Sequence, residues 1–319
     1  TIISKILKEF CFFYKKIKKT KNNFDKKFYI LCVKHLLSLS TVKNLILFYN
    51  LEKLILDNKI KFILTTFEGH PYEYLVFLLG KKYSIKIFSY QHSFITSSNF
   101  SMFLNLRKDI APNKILITGK VNYDFLKKKL NSKKIILLGS SKYKKFNLTN
   151  KKGNLNCLLI PSAFEKEPVE FLKLCYNCLK KNKNLKINFI LRLHPQINKS
   201  KFEQDNRELL KINKIQISNT KLKNDISSCK FVIYRDSSAV IEAIQQGLVP
   251  IHFYDKSTKF QLDPLWQLKS KITIKNSNQL LLFFKKNNLY SKSHISSYIK
   301  FANEFYKPID IKKLIKLIK

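Results

Sequence analysis

A serine pair after a short apolar run has the residue types of an anion-binding turn. Ser237 and Ser238 follow the apolar run Phe231–Tyr234, and the helical pattern that comes next ends at Gly247. Serine is a favoured helix N-cap, and the free N–H groups and the dipole at a helix N-terminus attract anions. Glu242 lies one turn into this helix, where its carboxylate can bind hydroxyl groups next to such an anion. An ordinary strand–helix–strand unit with a serine cap would show the same pattern.

Arginine is rare in this chain and occurs at the same kind of position. Of the 61 basic residues, four are arginine: Arg107, Arg192, Arg207 and Arg235. Arg192 and Arg235 each follow a predicted buried strand. His194 and Asp236 lie close to them in sequence. Because a guanidinium group binds phosphate or carboxylate in a bidentate way, this pattern favours an anionic ligand. The alternative is an ordinary surface arginine on each turn.

Carboxylate and imidazole groups occur at other strand ends. Glu68 and His70 follow one apolar run, and His92 follows the next run along the chain. A carboxylate beside an imidazole can act as a general base or as a nucleophile. Glu165 is a further catalytic candidate after a later strand, with Glu167 beside it. A lone glutamate at a helix N-terminus is also a common cap, because negative charge is favoured there.

The sequence lacks the motifs of several other chemistries. It has no Asp-x-Asp pair and no histidines at ligand spacing, so we predict no metal site. It has no Gly-x-Gly-x-x-Gly or Walker loop, which disfavours a dinucleotide dehydrogenase or a P-loop enzyme. Six cysteines are scattered along the chain, which is not a disulfide framework. Cys175 and Cys178 lie within one predicted helix, where core packing explains them better than metal binding.

The candidate residues lie at strand ends within an alternating strand–helix pattern. Apolar runs predict strands over 61–67, 85–90, 114–118, 134–138, 157–160, 187–191, 231–234 and 249–253. Such alternation is typical of parallel α/β sheets, which bind ligands at the carboxyl ends of their strands. The polar segment Lys142–Asn154 predicts a linker, which gives one domain of 1–145 and a second domain of 146–319 with a helical tail. We expect the α/β class, with two Rossmann-like domains facing across a cleft.

The formal net charge of +40 first suggests a nucleic-acid partner. The basic residues are nearly all lysine, however, and a lysine- and asparagine-rich composition is what an AT-rich coding sequence produces. Nucleic-acid readers favour arginine, so we expect no nucleic-acid partner. Residues 1–20 predict a basic amphipathic helix that either lies on a membrane or covers the edge of a core, and the second is the more usual case. No apolar run is long enough to span a bilayer.

The chain resembles glycosyltransferases of the GT-B type, which consist of two facing Rossmann-like domains. The resemblance implies that 1–145 is the acceptor-side domain and that 146–319 is the nucleotide-sugar-binding domain. The segment 237–251 resembles the donor-phosphate and ribose element of that superfamily. Arg192–Pro195 resembles the His-Pro motif of bacterial capsule and lipopolysaccharide transferases, including those that move Kdo or nonulosonic acids from CMP donors. Phe67–Pro71 and Tyr90–Ser93 resemble the amino-domain pattern of the same group. The resemblance covers residues 60–255.

The resemblance implies that Ser237 and Ser238 bind the donor phosphate, that Glu242 binds the ribose, and that Glu68 is a catalytic carboxylate. With the candidates above, the expected donor-binding residues are Arg192, His194, Arg235, Asp236, Ser237, Ser238 and Glu242, and the expected catalytic residues are Glu68, His70, His92 and Glu165. The chain departs from retaining Kdo transferases, which use a carboxylate nucleophile near the first strand of the second domain. Here that strand ends in Pro161 and Ser162, so retention and inversion both stay open.

We therefore expect a metal-independent glycosyltransferase that needs no cofactor and moves a CMP-activated acidic sugar, such as Kdo or a nonulosonic acid, onto a surface-glycan or glycolipid acceptor. One alternative is a polyol-phosphate or UDP-sugar transferase on the same scaffold. Another is a non-catalytic, glycan-binding protein of the same fold. The expected location is the cytoplasm, with peripheral contact between the basic surface and the inner face of the membrane.

Overall fold

The computed structural model describes residues 2–96, 110–130, 132–143, 155–254, 262–286 and 292–318. These residues pack as two units. The first contains the described residues up to Tyr90 and those of 110–115, and the second contains those of 91–96 and from Leu116 onward. The predicted domain boundary near residue 145 stays a prediction, because 144–154, most of the predicted linker, lie outside the described residues. Arg107 lies outside them as well.

Three helices precede the first strand: α1 (Ile2–Lys19), α2 (Asn23–Leu36) and α3 (Leu39–Asn58). Polar caps fix two of their starts, since Asn22 Oδ1 accepts the Phe24 N–H at 2.9 Å and Ser38 Oγ accepts the Thr41 N–H at 3.3 Å. The helix predicted over residues 1–20 is confirmed. Among the side chains described in them, Ile55 alone is buried, so α1 and α2 pack against each other rather than onto a core.

The N-terminal sheet has the strand order β1-β2-β3-β4. Its strands are β1 (Phe62–Thr66), β2 (Lys86–Gln91), β3 (Lys114–Ile117) and β4 (Ile135–Leu137), with helices α4 (Pro71–Lys82) and α5 (Lys120–Lys127). All four predicted strands are confirmed, and β1 pairs with β2 in parallel. Phe62 and Leu64 of β1 are exposed. As an edge strand, β1 has a neighbouring strand on one side only.

The second unit contains a six-stranded sheet with the order β10-β9-β8-β5-β6-β7. Its strands are β5 (Asn156–Ile160), β6 (Asn188–Leu191), β7 (Ile215–Ile217), β8 (Phe231–Tyr234), β9 (Val249–Phe253) and β10 (Ile272–Ile274). The neighbouring strands pair in parallel throughout. β8 and β9 are buried along their whole length, as expected for apolar runs covered on both faces. The four strands predicted here are confirmed, whereas the patterns do not predict the edge strands β7 and β10.

Five described helices of the second unit lie between these strands: α6 (Lys166–Lys181), α7 (Lys199–Asp205), α8 (Arg207–Leu210), α9 (Leu222–Ser228) and α10 (Ala239–Gln245). A further helix, α11 (Ser277–Lys285), follows β10. Cys175 and Cys178 are buried in α6 as free thiols, which confirms their predicted packing role. Burial raises the pKa of the Cys178 thiol to about 11. Gly247 ends the α10 segment with a positive φ of 82°, a left-handed conformation that suits glycine.

The C-terminal segment comprises α12 (Lys292–Phe305) and α13 (Ile311–Ile318). The chain between these helices binds the residues that follow β3 and β4. The Lys307 N–H donates to the Thr118 carbonyl at 3.0 Å, and the Ser140 N–H donates to the Lys307 carbonyl at 2.8 Å. The Asp310 N–H donates to the Leu138 carbonyl at 2.8 Å. These bonds explain why residues from Leu116 onward belong to the second unit.

Candidate functional site

The C-terminal sheet reverses its strand order at β5. From β5 the chain builds β6 and β7 on one side, and it then returns to build β8, β9 and β10 on the other. Parallel α/β sheets bind ligands at such a reversal, beyond the carboxyl ends of the two strands. Here those ends are Ile160 and Tyr234, which are register partners. We call the loops that follow them, 161–165 and 235–238, the switch edge.

Glu167 is the buried carboxylate beside the switch edge. It lies in the first turn of α6, is 3% exposed and accepts the Ser162 N–H at 3.0 Å and the Ser162 hydroxyl. Its Oε1 has no hydrogen-bond partner within the described part of the chain. Burial raises the pKa of Glu167, against the opposing effects of the Ser162 hydrogen bonds and the Arg235 charge. Glu165, the predicted catalytic candidate, is exposed, so Glu167 is the better placed of the two to retain a proton.

Arg235 is buried at the switch edge as part of its wall. Its Nη1 donates to Glu170 at 2.6 Å, and its Nε donates to the Phe253 carbonyl at 3.3 Å. Its guanidinium carbon lies 4.7 Å from the Phe253 ring centroid and 5.8 Å from that of Phe171. These contacts fix the guanidinium in place, although Nη2 has no partner among the described residues.

Asp236 follows Arg235 and is the second carboxyl group of this edge. Burial raises the pKa of Asp236, and the neighbouring Arg235 charge and the Leu262 N–H oppose that rise. Its Oδ1 has no hydrogen-bond partner in the described residues. Two carboxyl groups with raised pKa beside one fixed guanidinium can hold a proton and give it to an oxygen atom of a ligand. The sequence pattern identified Arg235 and Asp236. It favoured Glu165 over Glu167 as the catalytic candidate.

The serine turn differs from its predicted geometry. Ser238 occupies the N-cap position of α10, but its side chain makes no capping hydrogen bond. Its backbone is helical, with φ −65° and ψ −14°, whereas a capping serine is extended. The predicted serine cap is therefore wrong for Ser238, and α10 is a short helix of seven residues. Ser237, Ser238 and Glu242 are half-buried, and their roles as phosphate and ribose ligands stay predictions.

A buried network that the sequence patterns do not reveal lies behind the switch edge. The Tyr234 hydroxyl donates to Asp263 Oδ1 at 3.2 Å, and Lys271 forms an ion pair with the other carboxylate oxygen. His252 is buried, and its ring lies tilted against the Tyr234 ring at a centroid distance of 5.2 Å. Burial lowers the pKa of His252 to about 4, which keeps its imidazole neutral. The sequence signal was an aspartate before Pro264, which by itself predicts only a loop.

Arg192 and His194 follow β6, one strand away from the switch edge. Arg192 Nη1 donates to Asp225 Oδ2 at 2.8 Å and to the Thr220 carbonyl at 2.7 Å. Asp225 is buried and also accepts the Ser218 and Thr220 hydroxyls. His194 Nδ1 accepts the Gln196 N–H at 3.3 Å within its own turn. The structure thus gives Arg192 an anionic partner inside the protein, which the sequence pattern did not predict.

In the first unit, Glu68 and His70 come together after β1. Glu68 Oε2 lies 3.3 Å from His70 Nε2, and the Glu68 side chain is the less exposed of the two. Glu73, which the sequence patterns missed, holds this loop: its carboxylate accepts the Glu68, Gly69 and His70 N–H groups at 2.8–3.2 Å. His70 is therefore the N-cap residue of α4, and Glu73 at the third helical position completes the capping box, whereas Glu68 takes no part in it. A glutamate two residues after a proline at the first helical position was the available signal.

His92 follows β2 and packs with the second unit. It is half-buried. Its neighbour Gln91 is buried, donates to the Ser93 carbonyl and accepts the Thr118 hydroxyl at 3.2 Å. The chain places His92 after a strand that is paired with β1 in parallel, as the sequence predicts. Its catalytic role stays a prediction.

Within the described ranges, no group of three or more histidine, cysteine, aspartate or glutamate side chains is arranged to hold a metal ion. The charged groups of the switch edge bind protein partners instead, as the ion pairs of Arg235 with Glu170 and of Lys271 with Asp263 illustrate. What the edge offers a ligand is carboxyl groups with a raised pKa and serine hydroxyls.

No known family model matches the sequence, and no curated protein sequence matches it. Solved structures do match the fold. The S. aureus MnaA–UDP co-structure superposes with a TM-score of 0.56 at 12% identity, covering 85% of this chain and 78% of that one. UDP-GlcNAc 2-epimerase from Neisseria meningitidis bound to UDP-GlcNAc gives 0.54 at 13% identity, covering 88% and 81%.

A glycosyltransferase is also among the similar structures. The pneumococcal O-GlcNAc transferase GtfA, in complex with UDP and GlcNAc, gives a TM-score of 0.53 at 11% identity and covers 80% of this chain and 56% of that one. Likeness at this identity establishes the fold. The predicted fold class, α/β with two Rossmann-like domains of the GT-B type, is confirmed.

Proposed function

We propose that this protein is an enzyme of nucleotide-sugar chemistry, and specifically a glycosyltransferase. The observation that carries the proposal is the switch edge, where Glu167, Arg235 and Asp236 surround the point at which ligands bind in parallel α/β sheets. The similar structures support the ligand class, because the epimerase is bound to UDP-GlcNAc and the transferase is in complex with UDP and GlcNAc.

The proposed donor is a UDP-linked sugar in preference to the CMP-linked acidic sugar expected from the sequence. An acidic sugar brings a carboxylate in addition to its phosphate, and it needs unpaired cations. The two arginines expected to supply them are already paired, Arg192 with Asp225 at 2.8 Å and Arg235 with Glu170 at 2.6 Å. A UDP-sugar places less demand on those arginines, because its sugar carries no carboxylate.

In this proposal the serine hydroxyls of the switch edge bind the diphosphate, and Asp236 or Glu167 shares its proton with an oxygen of the donor. Such a hydrogen bond stabilises negative charge on the departing phosphate. Glu242 binds the ribose hydroxyls, and Glu68 with His70 acts on the acceptor hydroxyl as a general base. The reaction needs no metal ion or cofactor, and the acceptor is a glycan or a glycolipid.

Nucleotide binding by EDTA-treated protein tests the donor class. We expect UDP to raise the unfolding temperature by several degrees and CMP and GDP to raise it less. Replacing both Ser237 and Ser238 with alanine should weaken UDP binding about thirtyfold, as expected for the loss of two hydrogen bonds of about 1 kcal/mol each. Ser227→Ala, an exposed serine of α9, is the matched control. A response to no nucleotide contradicts the proposal, and a response to CMP alone restores the acidic-sugar donor.

A UDP-sugar epimerase is the second candidate, since two of the similar structures reported above bind UDP or UDP-GlcNAc and one is a 2-epimerase. Incubation with UDP-GlcNAc separates the two reactions. A transferase releases UDP and forms a glycosylated acceptor or, with water, free sugar. An epimerase returns a UDP-linked sugar with inverted configuration and consumes no net UDP-sugar.

Glu68→Gln distinguishes an enzyme from a glycan-binding protein of the same fold. We expect this variant to keep its UDP affinity and to lose turnover by at least about a hundredfold, the usual scale for removal of a general base. Glu9→Gln, on the surface of α1, is the control and should leave turnover unchanged. If wild-type protein binds UDP yet shows no turnover with any acceptor tested, the non-catalytic alternative replaces the transferase.

A further inference from the structure

The α1–α2 pair presents apolar side chains to solvent without a core behind it. No residue of α2 is buried, and the side of α2 that faces α1 makes the contact between Phe13 and Tyr29, whose ring centroids are 6.3 Å apart. On the surface of α2 lie Phe24, Phe28 and Leu31, which are 77%, 55% and 53% exposed. Their spacing of four and three residues places them in one stripe along the helix. We call these three residues the α2 stripe.

The apolar surface continues at the turn between α2 and α3. Leu37 and Leu39 are both exposed there, and Leu39 is the most exposed of the large apolar residues of the described chain. Exposed apolar residues that occur singly are normal on a protein surface. A group of them, as here, is typical of a binding surface. A surface of this kind suits an occupant that accepts apolar side chains.

The charge around the stripe selects that occupant. Residues 2–36 contain ten lysines and two acidic residues, Glu9 and Asp25. Lys26, Lys27 and Lys34 are exposed on α2 itself. Lysines beside large apolar residues on one helix are the pattern of an element that lies in the interface of an anionic bilayer, with its apolar side chains below the headgroups.

The lengths and composition of the helices agree with a position on the bilayer surface. In the described chain no single helix is long and apolar enough to cross a membrane. Taken together, α2 and α3 have the length and composition for it. These two helices are bent by 61° where they meet, with Leu37 and Leu39 at the bend. A bent, lysine-bearing pair suits insertion of one apolar edge better than a straight crossing.

We propose that the α1–α2 pair docks this protein on an anionic phospholipid bilayer, with the α2 stripe inserted and the surrounding lysines at the headgroups. The inference is independent of the proposed reaction, because it uses no residue assigned to donor or acceptor. None of the described side chains of α1 and α2 is buried, so packing onto a core does not explain these basic helices. Docking on a bilayer gives them a function.

Sedimentation of full-length protein with vesicles tests the proposal. We expect binding to phosphatidylcholine vesicles that contain about 30% phosphatidylglycerol to be at least about tenfold stronger than to pure phosphatidylcholine vesicles, and to weaken with added salt. The triple variant Phe24→Ser, Phe28→Ser, Leu31→Ser should lose at least about tenfold of that binding. The variant Lys26→Glu, Lys27→Glu, Lys34→Glu should do the same.

Matched controls come from the second unit. Leu282→Ser removes an equally exposed apolar side chain from α11, and Lys180→Glu with Lys183→Glu and Lys186→Glu reverses three exposed lysines. Both controls should bind anionic vesicles like the wild type. If they lose as much binding as the α1–α2 variants, or if wild type does not distinguish the two vesicle types, the docking surface is not the α1–α2 pair.

Phe28→Trp provides a readout of insertion that does not depend on affinity. We expect its fluorescence to shift to shorter wavelength when anionic vesicles are added, beyond any change from the native Trp266 measured in the wild type. Binding without a shift would mean that lysines alone hold the protein to the surface, and it would overturn the inserted stripe. Sedimentation equilibrium without vesicles tests the competing occupant, a second copy of this chain. If the wild type is a dimer and the triple serine variant is a monomer, the α2 stripe is a dimer interface and the bilayer proposal is wrong.

Discussion

Two buried glutamates hold the loops that carry the candidate residues. Glu73 accepts the N–H groups of the loop after β1, and Glu167 accepts the N–H and hydroxyl of Ser162 in the loop after β5. Each carboxylate lies in the first turn of a helix, where the helix dipole favours negative charge. The two glutamates therefore satisfy backbone N–H groups of the loops after β1 and β5 from within the protein.

Replacing Glu73 with glutamine tests this at the level of one residue. A glutamine keeps one acceptor oxygen and places an amide NH2 against N–H groups of the loop, so donors lose their acceptor in a buried position. We expect the free energy of unfolding to fall by about 2–4 kcal/mol, measured by urea denaturation. Glu208→Gln, whose carboxylate is exposed and pairs with Lys211 on the surface, should change it by less than about 0.5 kcal/mol. Equal effects of the two substitutions would contradict the role of Glu73.

His252 should make stability depend on pH. Its pKa is lowered from 6.5 to about 4 in the folded protein, chiefly by burial, so between these values the unfolded chain binds a proton that the folded chain does not. Stability from this group is therefore complete above about pH 6.5 and is lost as the pH falls toward 4, by about 3 kcal/mol in total. His252→Phe removes the titration. We expect the difference in unfolding free energy between variant and wild type to change by about that amount between pH 7 and pH 4. A difference that does not vary with pH would show that His252 is not buried in the neutral form.

The residue types at the candidate site could be predicted from the sequence, but their partners could not. Acidic, basic and serine residues after apolar runs identify strand ends, which the structure confirms for Arg235 and Asp236. The partner of Arg192 is 33 positions away in the chain, and that of Arg235 is 65 positions away. Local patterns carry no information about such contacts, so the pairing of both arginines inside the protein became visible only in three dimensions.

At the scale of elements, hydrophobic periodicity predicts the long and central elements and misses the short ones at the edges. β8 is a continuous apolar run and β9 is apolar except for His252, and both were predictable. β7 and β10 have three residues each, which is too short for a period to appear. α7 and α8 fall in a polar segment where lysine and asparagine hide the few apolar positions, of which Phe202 is buried.

The close approach of the C-terminal segment to α5 depends on a glycine. A side chain at Gly119 would place its Cβ 2.0 Å from the Phe305 carbonyl oxygen. The clash is with backbone, which cannot rotate away, and the φ of Gly119 is an ordinary extended −164°. Packing alone therefore requires the glycine at this position.

We expect Gly119→Ala to lower the free energy of unfolding by more than about 2 kcal/mol, because α12 has to move away from the start of α5. Thermal unfolding followed by circular dichroism measures the effect. Lys120→Ala, one position along and exposed, is the control and should stay within about 0.5 kcal/mol of wild type. A tolerated alanine at 119 would mean that the C-terminal segment is not held against α5 as described.

For the whole molecule, the alternation of strands and helices was enough to predict the fold class, whereas the division into packing units was not predictable. The C-terminal segment returns to β4 after the second sheet is complete, and Lys313 donates to the Leu137 carbonyl across 176 positions of sequence. No composition shift announces such a return. A polar linker is visible in the composition of the sequence. The extent of the second unit depends instead on the contacts that the C-terminal helices make.

The contrast between the two ends of the chain leads to a prediction about the entire protein. α1 and α2 bury none of the side chains described in them, whereas Tyr298, Phe305 and Tyr306 at the C-terminus are each about 1% exposed. Removing residues 1–37 should therefore reduce the helical circular dichroism signal and change the unfolding temperature by less than about 3 °C. Removing residues 292–319 should abolish cooperative unfolding, because it takes away buried aromatic surface and the partners of Thr118, Leu138 and Ser140. Similar losses from both deletions would mean that α1 and α2 contribute to a core, and the membrane surface assigned to them would then lack its structural basis.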